Sequence, residues 1–288
     1  MSAASLEWIV PVSSDEAQQG ALEAPKAARA KQALAKWGCA LLRGVFSQDF
    51  VRRMCQEFFT RFPAVDALDM KREAAKPAPN PVMTVGPARF EISLEMSGAF
   101  GVVNLFANHL LLQFLRTMLG DQVRLSSFSA VASYPGAITQ HIHRDHDHLY
   151  PELDLARLLP PHAINVAVPL IDIDLETGPT GIWPGSHLWP HGTLPSVETV
   201  TALPLIGGDC LLIDYRTLHV GLPNQSSNVR PILYMVYARP WFFDNVNFRD
   251  RPSLIMPRAA YEGLPEPIQQ LTVRALWQQI LADYFDDH

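Results

Sequence analysis

Residues 208–231 read GDCLLIDYRTLHVGLPNQSSNVRP, and they join two strand-like segments through a turn-rich linker. An apolar run at 210–214 precedes His219, and the apolar run PILYMVYA begins directly after Arg230. The linker is rich in Gly, Pro, Asn and Ser, the residue types that favour turns. If the two segments pair as a hairpin, His219 and Arg230 point into one cavity, and we predict this arrangement.

The same pattern of short apolar runs continues through the chain after Asp121. The runs FSAVASY, INVAVPLI, CLLID and ILYMVYA are separated by clusters of Pro, Gly, Asn and Asp. Many short strands with such turns are typical of a sandwich or a closed barrel of antiparallel strands. The sequence therefore predicts a mainly β protein.

Helices are predicted on both sides of this β region. An Ala- and Lys-rich helix over 26–37 ends at a glycine, a strand follows at 39–45, and a second helix begins after Ser47. The proline-rich stretch 63–104 is predicted to be a loop with one strand, RFEISLEM. A further helix over 106–118 and one at the C-terminus complete the pattern.

Composition limits the possible functions. The 288 residues carry a net charge of −6 without a block of Lys and Arg, which argues against nucleic-acid binding. No apolar run is long enough to span a bilayer, and the first residues do not resemble a secretion signal. We expect a cytoplasmic protein with a small-molecule partner, and we expect Cys39, Cys55 and Cys210 to be buried free thiols.

Residues 140–151, QHIHRDHDHLYP, place four of the ten histidines within eight positions. On a strand, His143 and Asp145 face the same side, as His141 also does, so periodicity alone does not exclude His141. Closed zinc sites usually draw on cysteine, and none lies nearby. With His219 as a distant third ligand, two imidazoles and one carboxylate leave three metal positions open. This is the pattern of non-haem Fe(II) oxygenases.

Three segments in this order resemble the phytanoyl-CoA dioxygenase family of Fe(II)- and 2-oxoglutarate-dependent oxygenases. They are QHIHRD, TGPTGIWPGSHLWP and the stretch 208–231 quoted above. Within that family, the chain looks most similar to bacterial members that oxidise natural products. The resemblance is strongest from residue 135 to residue 240.

The resemblance implies a fold and its organisation. It is a double-stranded β-helix, the jelly-roll or cupin-like barrel, with flanking helices. We expect one oxygenase domain over 1–288, with helical and lid elements in 1–121, the jelly-roll core in 122–240, and an extension with a helix in 241–288.

The resemblance also implies the cofactors and the residues that bind them. Iron(II) is held by His143, Asp145 and His219, and the co-substrates are 2-oxoglutarate and dioxygen. The distal carboxylate of 2-oxoglutarate is bound by Arg230. Gln140 and Thr180 match positions near the co-substrate. Hydroxylation of a small metabolite is the usual outcome in such enzymes, whereas desaturation and ketone formation also occur.

Candidate substrate contacts follow the metal pair or lie in the segment TGPTGIWPGSHLWP. His148 is close enough in the chain to reach a bound substrate or to order the loop. Tyr150 lies in a loop, where binding residues are common, or at a solvated edge. Trp183 either lines the cavity or packs in the barrel core, the commoner role of a buried tryptophan. Arg89 and Glu91 either form part of a lid or lie at a solvated edge.

Other histidines have simpler expected roles. His187 lies in the turn PGSH, where we expect a structural hydrogen bond. His162 and His191 lie in proline-rich loops and are predicted to be exposed.

Two other classes of function compete with the oxygenase. One is a cupin-like metal-binding or sensor protein without turnover, since a fold does not dictate a function. The other is a zinc hydrolase that uses the histidine cluster. Arg230 discriminates between them, because a carboxylate-binding cation beside the metal is needed only for 2-oxoglutarate. The substrate and the oligomeric state are not determined by the sequence.

Overall fold

The computed structural model describes residues 7–63, 66–77, 80–153, 155–248 and 251–286, with side chains as far as Trp277. The strands are β1 (Ile9–Pro11), β2 (Cys39–Arg43), β3 (Val82–Gly86), β4 (Arg89–Ser93), β5 (Arg124–Ser133), β6 (Ala163–Pro169), β7 (Thr180–Ile182), β8 (Thr201–Ala202), β9 (Cys210–Asp214), β10 (His219–Gly221) and β11 (Arg230–Ala238). The α-helices are α1 (Ser14–Gln19), α2 (Ala24–Trp37), α3 (Gln48–Arg61), α4 (Ala67–Ala74), α5 (Val103–Phe106), α6 (His109–Leu119), α7 (Arg258–Glu262) and α8 (Glu266–Asp286).

The strands form two sheets. The large sheet has the order β1-β2-β9-β6-β11-β5-β4-β3, and the small sheet has the order β10-β7-β8. Every pairing between described strands is antiparallel apart from that of β1 with β2. A cavity between the sheets is lined by residues from both. The predicted mainly β, jelly-roll fold with flanking helices is confirmed.

The large sheet extends beyond the core that was expected in 122–240. Strands β1 and β2 form one end of it, and β3 and β4 form the other. The N-terminal region therefore supplies four strands in addition to helices. The sequence predicted β2 and β4 as strands but did not predict the two edge strands, β1 and β3.

The first helices begin and end where their capping residues predict. Helix α2 ends at Gly38, whose φ of 70° is the left-handed conformation that glycine adopts readily. A Cβ at this position would lie 2.3 Å from Thr217 Oγ1, so glycine is also required sterically. Ser47 caps α3 by accepting a hydrogen bond from the Phe50 amide.

Two predicted boundaries were wrong. The single helix expected over 106–118 is broken, because the Asn108 side chain accepts a hydrogen bond from the Leu111 amide and starts α6. The stretch 63–104 contains α4 and β3 in addition to the expected strand, which is β4 and forms a hairpin with β3. Asp66 caps α4, and this signal was missed among the prolines.

The expected hairpin between the segments around His219 and Arg230 was also wrong. Strand β10 pairs with β7 in the small sheet, whereas β11 pairs with β5 and β6 in the large sheet. Both residues still reach one cavity, because the two sheets face each other across it.

The three cysteines agree in part with the expectation of buried free thiols. Cys39 and Cys210 are buried, Cys55 is half-buried, and all three are free. Among the described helices, none has the length and apolar character required to cross a bilayer.

Candidate metal and co-substrate site

A cavity of about 560 Å³ lies between the two sheets. Strands β4, β5 and β11 of the large sheet contribute residues of one face, as the pleat requires, and β11 presents Arg230, Tyr234 and Val236. From the small sheet, His219 and Gly221 on β10 lie beside Thr180, which pairs with Gly221 across the strands. The cavity is therefore built from distant parts of the chain.

His143, Asp145 and His219 come together at this cavity. One ligand atom from each lies within 4.8 Å of the others. His143 and His219 form an isolated antiparallel bridge, with amide-to-carbonyl distances of 3.1 and 2.9 Å. The prediction of a continuous strand through His143 and Asp145 was wrong, because Asp145 lies in a bend after the bridge.

Both imidazoles have one nitrogen free for a metal. Nδ1 of His143 lies 2.8 Å from the His141 carbonyl oxygen, and Nδ1 of His219 lies 3.0 Å from that of Thr217. A carbonyl only accepts hydrogen bonds, so each Nδ1 carries the proton and each Nε2 keeps its lone pair. Burial, followed by the neighbouring His219, lowers the pKa of His143 to about 3. A neutral imidazole is the form that binds metal.

The carboxylate of Asp145 completes the set. Its Oδ1 lies 3.5 Å from His219 Nε2, and its Oδ2 accepts a hydrogen bond of 3.0 Å from Asn165 Nδ2. Burial raises the pKa of Asp145, an effect that a bound cation would offset. Two neutral imidazoles and a carboxylate fit a divalent metal such as Fe(II). In the described part of the chain no further histidine, cysteine or carboxylate joins this group.

Arg230 lies in the same cavity and is 2% exposed. Its Nη2 donates to Ser133 Oγ at 3.2 Å, whereas its Nε has no partner among the described residues. Burial lowers its pKa. Thr180 lies close by, with its Oγ1 3.4 Å from the hydroxyl of Tyr234, and both line the cavity. A buried guanidinium with unused donors is suited to binding a carboxylate.

Arg89 is a second buried cation, which sequence reasoning had assigned to a lid. It is 1% exposed and donates to Ser133 Oγ at 2.7 Å and to the Leu222 carbonyl at 2.7 Å. Burial and the nearby Arg230 lower its pKa to about 10. The alternation in RFEISLEM indicated which residues share a face, but only the sheet shows that Arg89 faces the cavity.

Gln140 also lines the cavity, but both ends of its side-chain amide already form hydrogen bonds with backbone groups. Its Oε1 accepts from the Gly221 amide at 3.2 Å, and its Nε2 donates to the Val85 carbonyl at 3.2 Å. The co-substrate role expected for Gln140 remains a prediction.

The three predicted substrate contacts do not line the cavity. His148 is buried away from it, and Tyr150 is 59% exposed. Trp183 packs with Leu218 and Val220, and its Nε1 donates to Thr199 Oγ1 at 3.0 Å. Trp183 therefore has the core-packing role that was the alternative, and no described contact supports a substrate role for the other two.

Three other histidines had expected positions, and two of the three expectations agree with the structure. His187 is buried, and its Nε2 lies 3.2 Å from the Ala35 carbonyl, in agreement with a structural role. His162 was predicted to be exposed, which was wrong, because it packs against Phe242 with a ring distance of 4.4 Å. The proline-rich loop around it is covered by the segment after β11. His191 is exposed, as expected.

The segment after β11 supplies part of the cavity wall that the sequence did not reveal. Asn247 and Phe248 line the cavity, and Asn247 Nδ2 donates to the Asp145 carbonyl at 2.7 Å. Arg251, which also follows β11, forms an ion pair of 2.8 Å with Glu91 on β4. This wall links the C-terminal segment to both the metal loop and the large sheet.

Comparison with known proteins places the chain in a family. The model of the phytanoyl-CoA dioxygenase (PhyH) family matches residues 34–232. The chain belongs to this family, as the three sequence segments indicated.

Individual relatives agree with this placement. Dioxygenase af480 of Aspergillus fumigatus is 28% identical over 172 residues, which are 58% of this chain and 53% of the relative. Iron/alpha-ketoglutarate-dependent dioxygenase penM of Penicillium thymicola is 24% identical over 196 residues, which are 64% and 59% of the two chains. The chain thus spans little more than half the length of these curated relatives.

A solved structure shows the same fold. HygX from Streptomyces hygroscopicus, with nickel, 2-oxoglutarate and hygromycin B bound, has a TM-score of 0.54 at 17% identity. The match covers 74% of this chain and 87% of HygX. The cofactors predicted from the sequence, iron and 2-oxoglutarate, are those named for penM, and HygX holds 2-oxoglutarate.

Proposed function

We propose that this protein is an Fe(II)- and 2-oxoglutarate-dependent dioxygenase that hydroxylates a C–H bond of a small metabolite in natural-product biosynthesis. When bound, iron and 2-oxoglutarate allow dioxygen to oxidise the substrate, with release of succinate and carbon dioxide. The observation that carries the proposal is the position of buried Arg230, which makes no ion pair among the described residues, in the same cavity as His143, Asp145 and His219.

Each group has a distinct role in this proposal. His143, His219 and Asp145 hold the metal, with both imidazoles oriented by backbone carbonyls. Arg230 binds the distal carboxylate of 2-oxoglutarate, and Arg89 adds a second positive charge behind Ser133. The two arginines strengthen carboxylate binding because burial reduces the solvent screening of their charges.

The competing functions explain fewer of these features. A structural metal site or a zinc hydrolase has no need for two buried guanidinium groups beside the metal ligands. Among the described residues, no carboxylate lies within ion-pair distance of Arg89 or Arg230. An anionic co-substrate would compensate this charge.

The expected partner is a small-molecule substrate. The acidic net charge disfavours nucleic-acid binding. We propose that the reaction takes place in the cytoplasm.

Anaerobic loading with Fe(II) and 2-oxoglutarate tests the proposal. We expect a weak visible charge-transfer band, which zinc does not give, and saturable binding in isothermal titration. Metal-loaded protein that binds no 2-oxoglutarate would contradict the oxygenase and favour a metal-binding or sensor protein.

A further inference from the structure

The two carboxylate oxygens of Asp145 have different surroundings. Oδ1 is the oxygen that lies 3.5 Å from His219 Nε2. Oδ2 accepts a hydrogen bond of 3.0 Å from Asn165 Nδ2. One oxygen is therefore directed toward the metal ligands, while the other is occupied by an amide donor.

Asn165 is held more firmly than the carboxylate that it contacts. It lies within β6, where it pairs with Val236 of β11 and with Ile213 of β9, and it is 6% exposed. Asp145 lies in a bend two residues after the isolated bridge of His143 with His219. Because β6 has a strand on each side, the donor position is set by the large sheet, and the carboxylate must adjust to it.

The orientation of the Asn165 amide follows from the chemistry of its partner. An ionised carboxylate only accepts hydrogen bonds, so the amide must present its NH₂ group to Asp145. Its Oδ1 is then buried without a hydrogen-bond partner among the described residues. Buried acceptors are usually satisfied, so a contribution to folding alone does not account for this asparagine.

We propose that Asn165 is a positioning residue that restricts Asp145 to metal binding through Oδ1 alone. This inference rests on the proposed function, in which open metal positions receive 2-oxoglutarate and dioxygen. A carboxylate that bound through both oxygens would occupy one of those positions. By retaining Oδ2, Asn165 keeps that position available without being a ligand itself.

The Asn165→Leu variant tests this role, because leucine has a similar volume but no N–H. Asn165→Ala is the second variant, since its smaller side chain cannot clash in the sheet. Asn104→Leu is the matched control, as Asn104 is exposed and does not line the cavity. Circular dichroism and thermal unfolding establish that each variant is folded.

The first experiment makes two measurements. The visible spectrum of the Co(II)-loaded proteins reports coordination number, and a metal titration gives the affinity. We expect both Asn165 variants to show an altered band intensity and a metal affinity about 10–100-fold weaker, the usual effect of removing a hydrogen-bond partner of a ligand. We expect the control to match the wild type. Asn165 variants with the wild-type spectrum and affinity would overturn the proposal.

The second experiment separates this inference from the proposed function. Wild-type protein that binds Co(II) but not 2-oxoglutarate would disprove the oxygenase, while the Co(II) spectra would still test Asn165. Conversely, wild-type protein with the Fe(II) and 2-oxoglutarate band, combined with an unchanged band in both Asn165 variants, would disprove only the role of Asn165.

Discussion

Arg89 and Arg230 donate hydrogen bonds to the same hydroxyl group, that of Ser133, from strands on either side of it. Ser133 pairs with Arg89 of β4 and with Arg230 of β11. Two buried cations so placed repel each other, and the pKa of each is lowered, chiefly by burial. The pair is suited to a bound dianion, which would offset the repulsion between the two cations and the unfavourable burial of their charges.

The first prediction concerns Arg230. A charge-assisted contact to a carboxylate contributes about 1.5–3 kcal/mol. Arg230→Leu should therefore weaken 2-oxoglutarate binding by about tenfold or more, while Fe(II) still binds. Isothermal titration of the metal-loaded variant measures both. Unchanged 2-oxoglutarate affinity would show that Arg230 does not bind the co-substrate.

A second prediction concerns the protein without metal. Because no carboxylate among the described residues pairs with Arg89 or Arg230, 2-oxoglutarate should raise the thermal unfolding temperature even in the presence of a chelator. A ligand at 100 times its Kd stabilises a protein by about 2.7 kcal/mol. The shift should disappear in Arg230→Leu and persist in an exposed control such as Arg52→Leu. Equal shifts in the two variants would indicate binding elsewhere.

The histidine stretch gives a third prediction. Substitution of His143, Asp145 or His219 by alanine should abolish turnover and sharply reduce Fe(II) retention, because each contributes one of three ligand atoms. The matched substitutions His141→Ala, His146→Ala and His148→Ala should keep the metal. Metal analysis after desalting distinguishes the sets. Loss of metal in the second set but not in His143→Ala would favour a zinc cluster.

A fourth prediction follows from buried His162. Burial is the main cause that lowers the pKa of His162 to about 3, so this imidazole stays neutral in the folded chain at pH 5.5. In the unfolded chain the same imidazole binds a proton as the pH falls below about 6.5, which favours unfolding. This site should therefore reduce stability by about 1.4 kcal/mol between neutral pH and about pH 5.5. Urea unfolding at the two pH values should show a smaller loss in His162→Phe.

The exposed His191 provides the control for that experiment. The pH dependence of His191→Gln is compared with that of His162→Phe, since one variant changes an exposed imidazole and the other a buried one. If His162→Phe has the same pH dependence as the wild type, other groups dominate the acid response.

Much of the candidate metal site was predictable, because it depends on residue types and on their order along the chain. The H-x-D pair, the distant His219 and the following Arg230 lie at the ends of apolar runs, where strand ends expose side chains. Local sequence left two roles open for Trp183, since a tryptophan next to a cavity and one in the core have the same local sequence. His148 is buried and does not line the cavity, and its substrate role stays a prediction.

The sequence by itself determined the mainly β architecture, the family and the candidate metal ligands, because apolar periodicity, turn residues and ligand chemistry are properties of short segments. Only the tertiary structure decided that Arg89 joins Arg230 and that Asn165 holds Asp145. Arg89 and Ser133 lie 44 residues apart in the chain, and Asp145 and Asn165 lie 20 residues apart. Such contacts depend on which strands pair, in which register, and on which face of the sheet lines the cavity. Local sequence patterns do not fix these three properties, since they result from the packing of the two sheets as a whole.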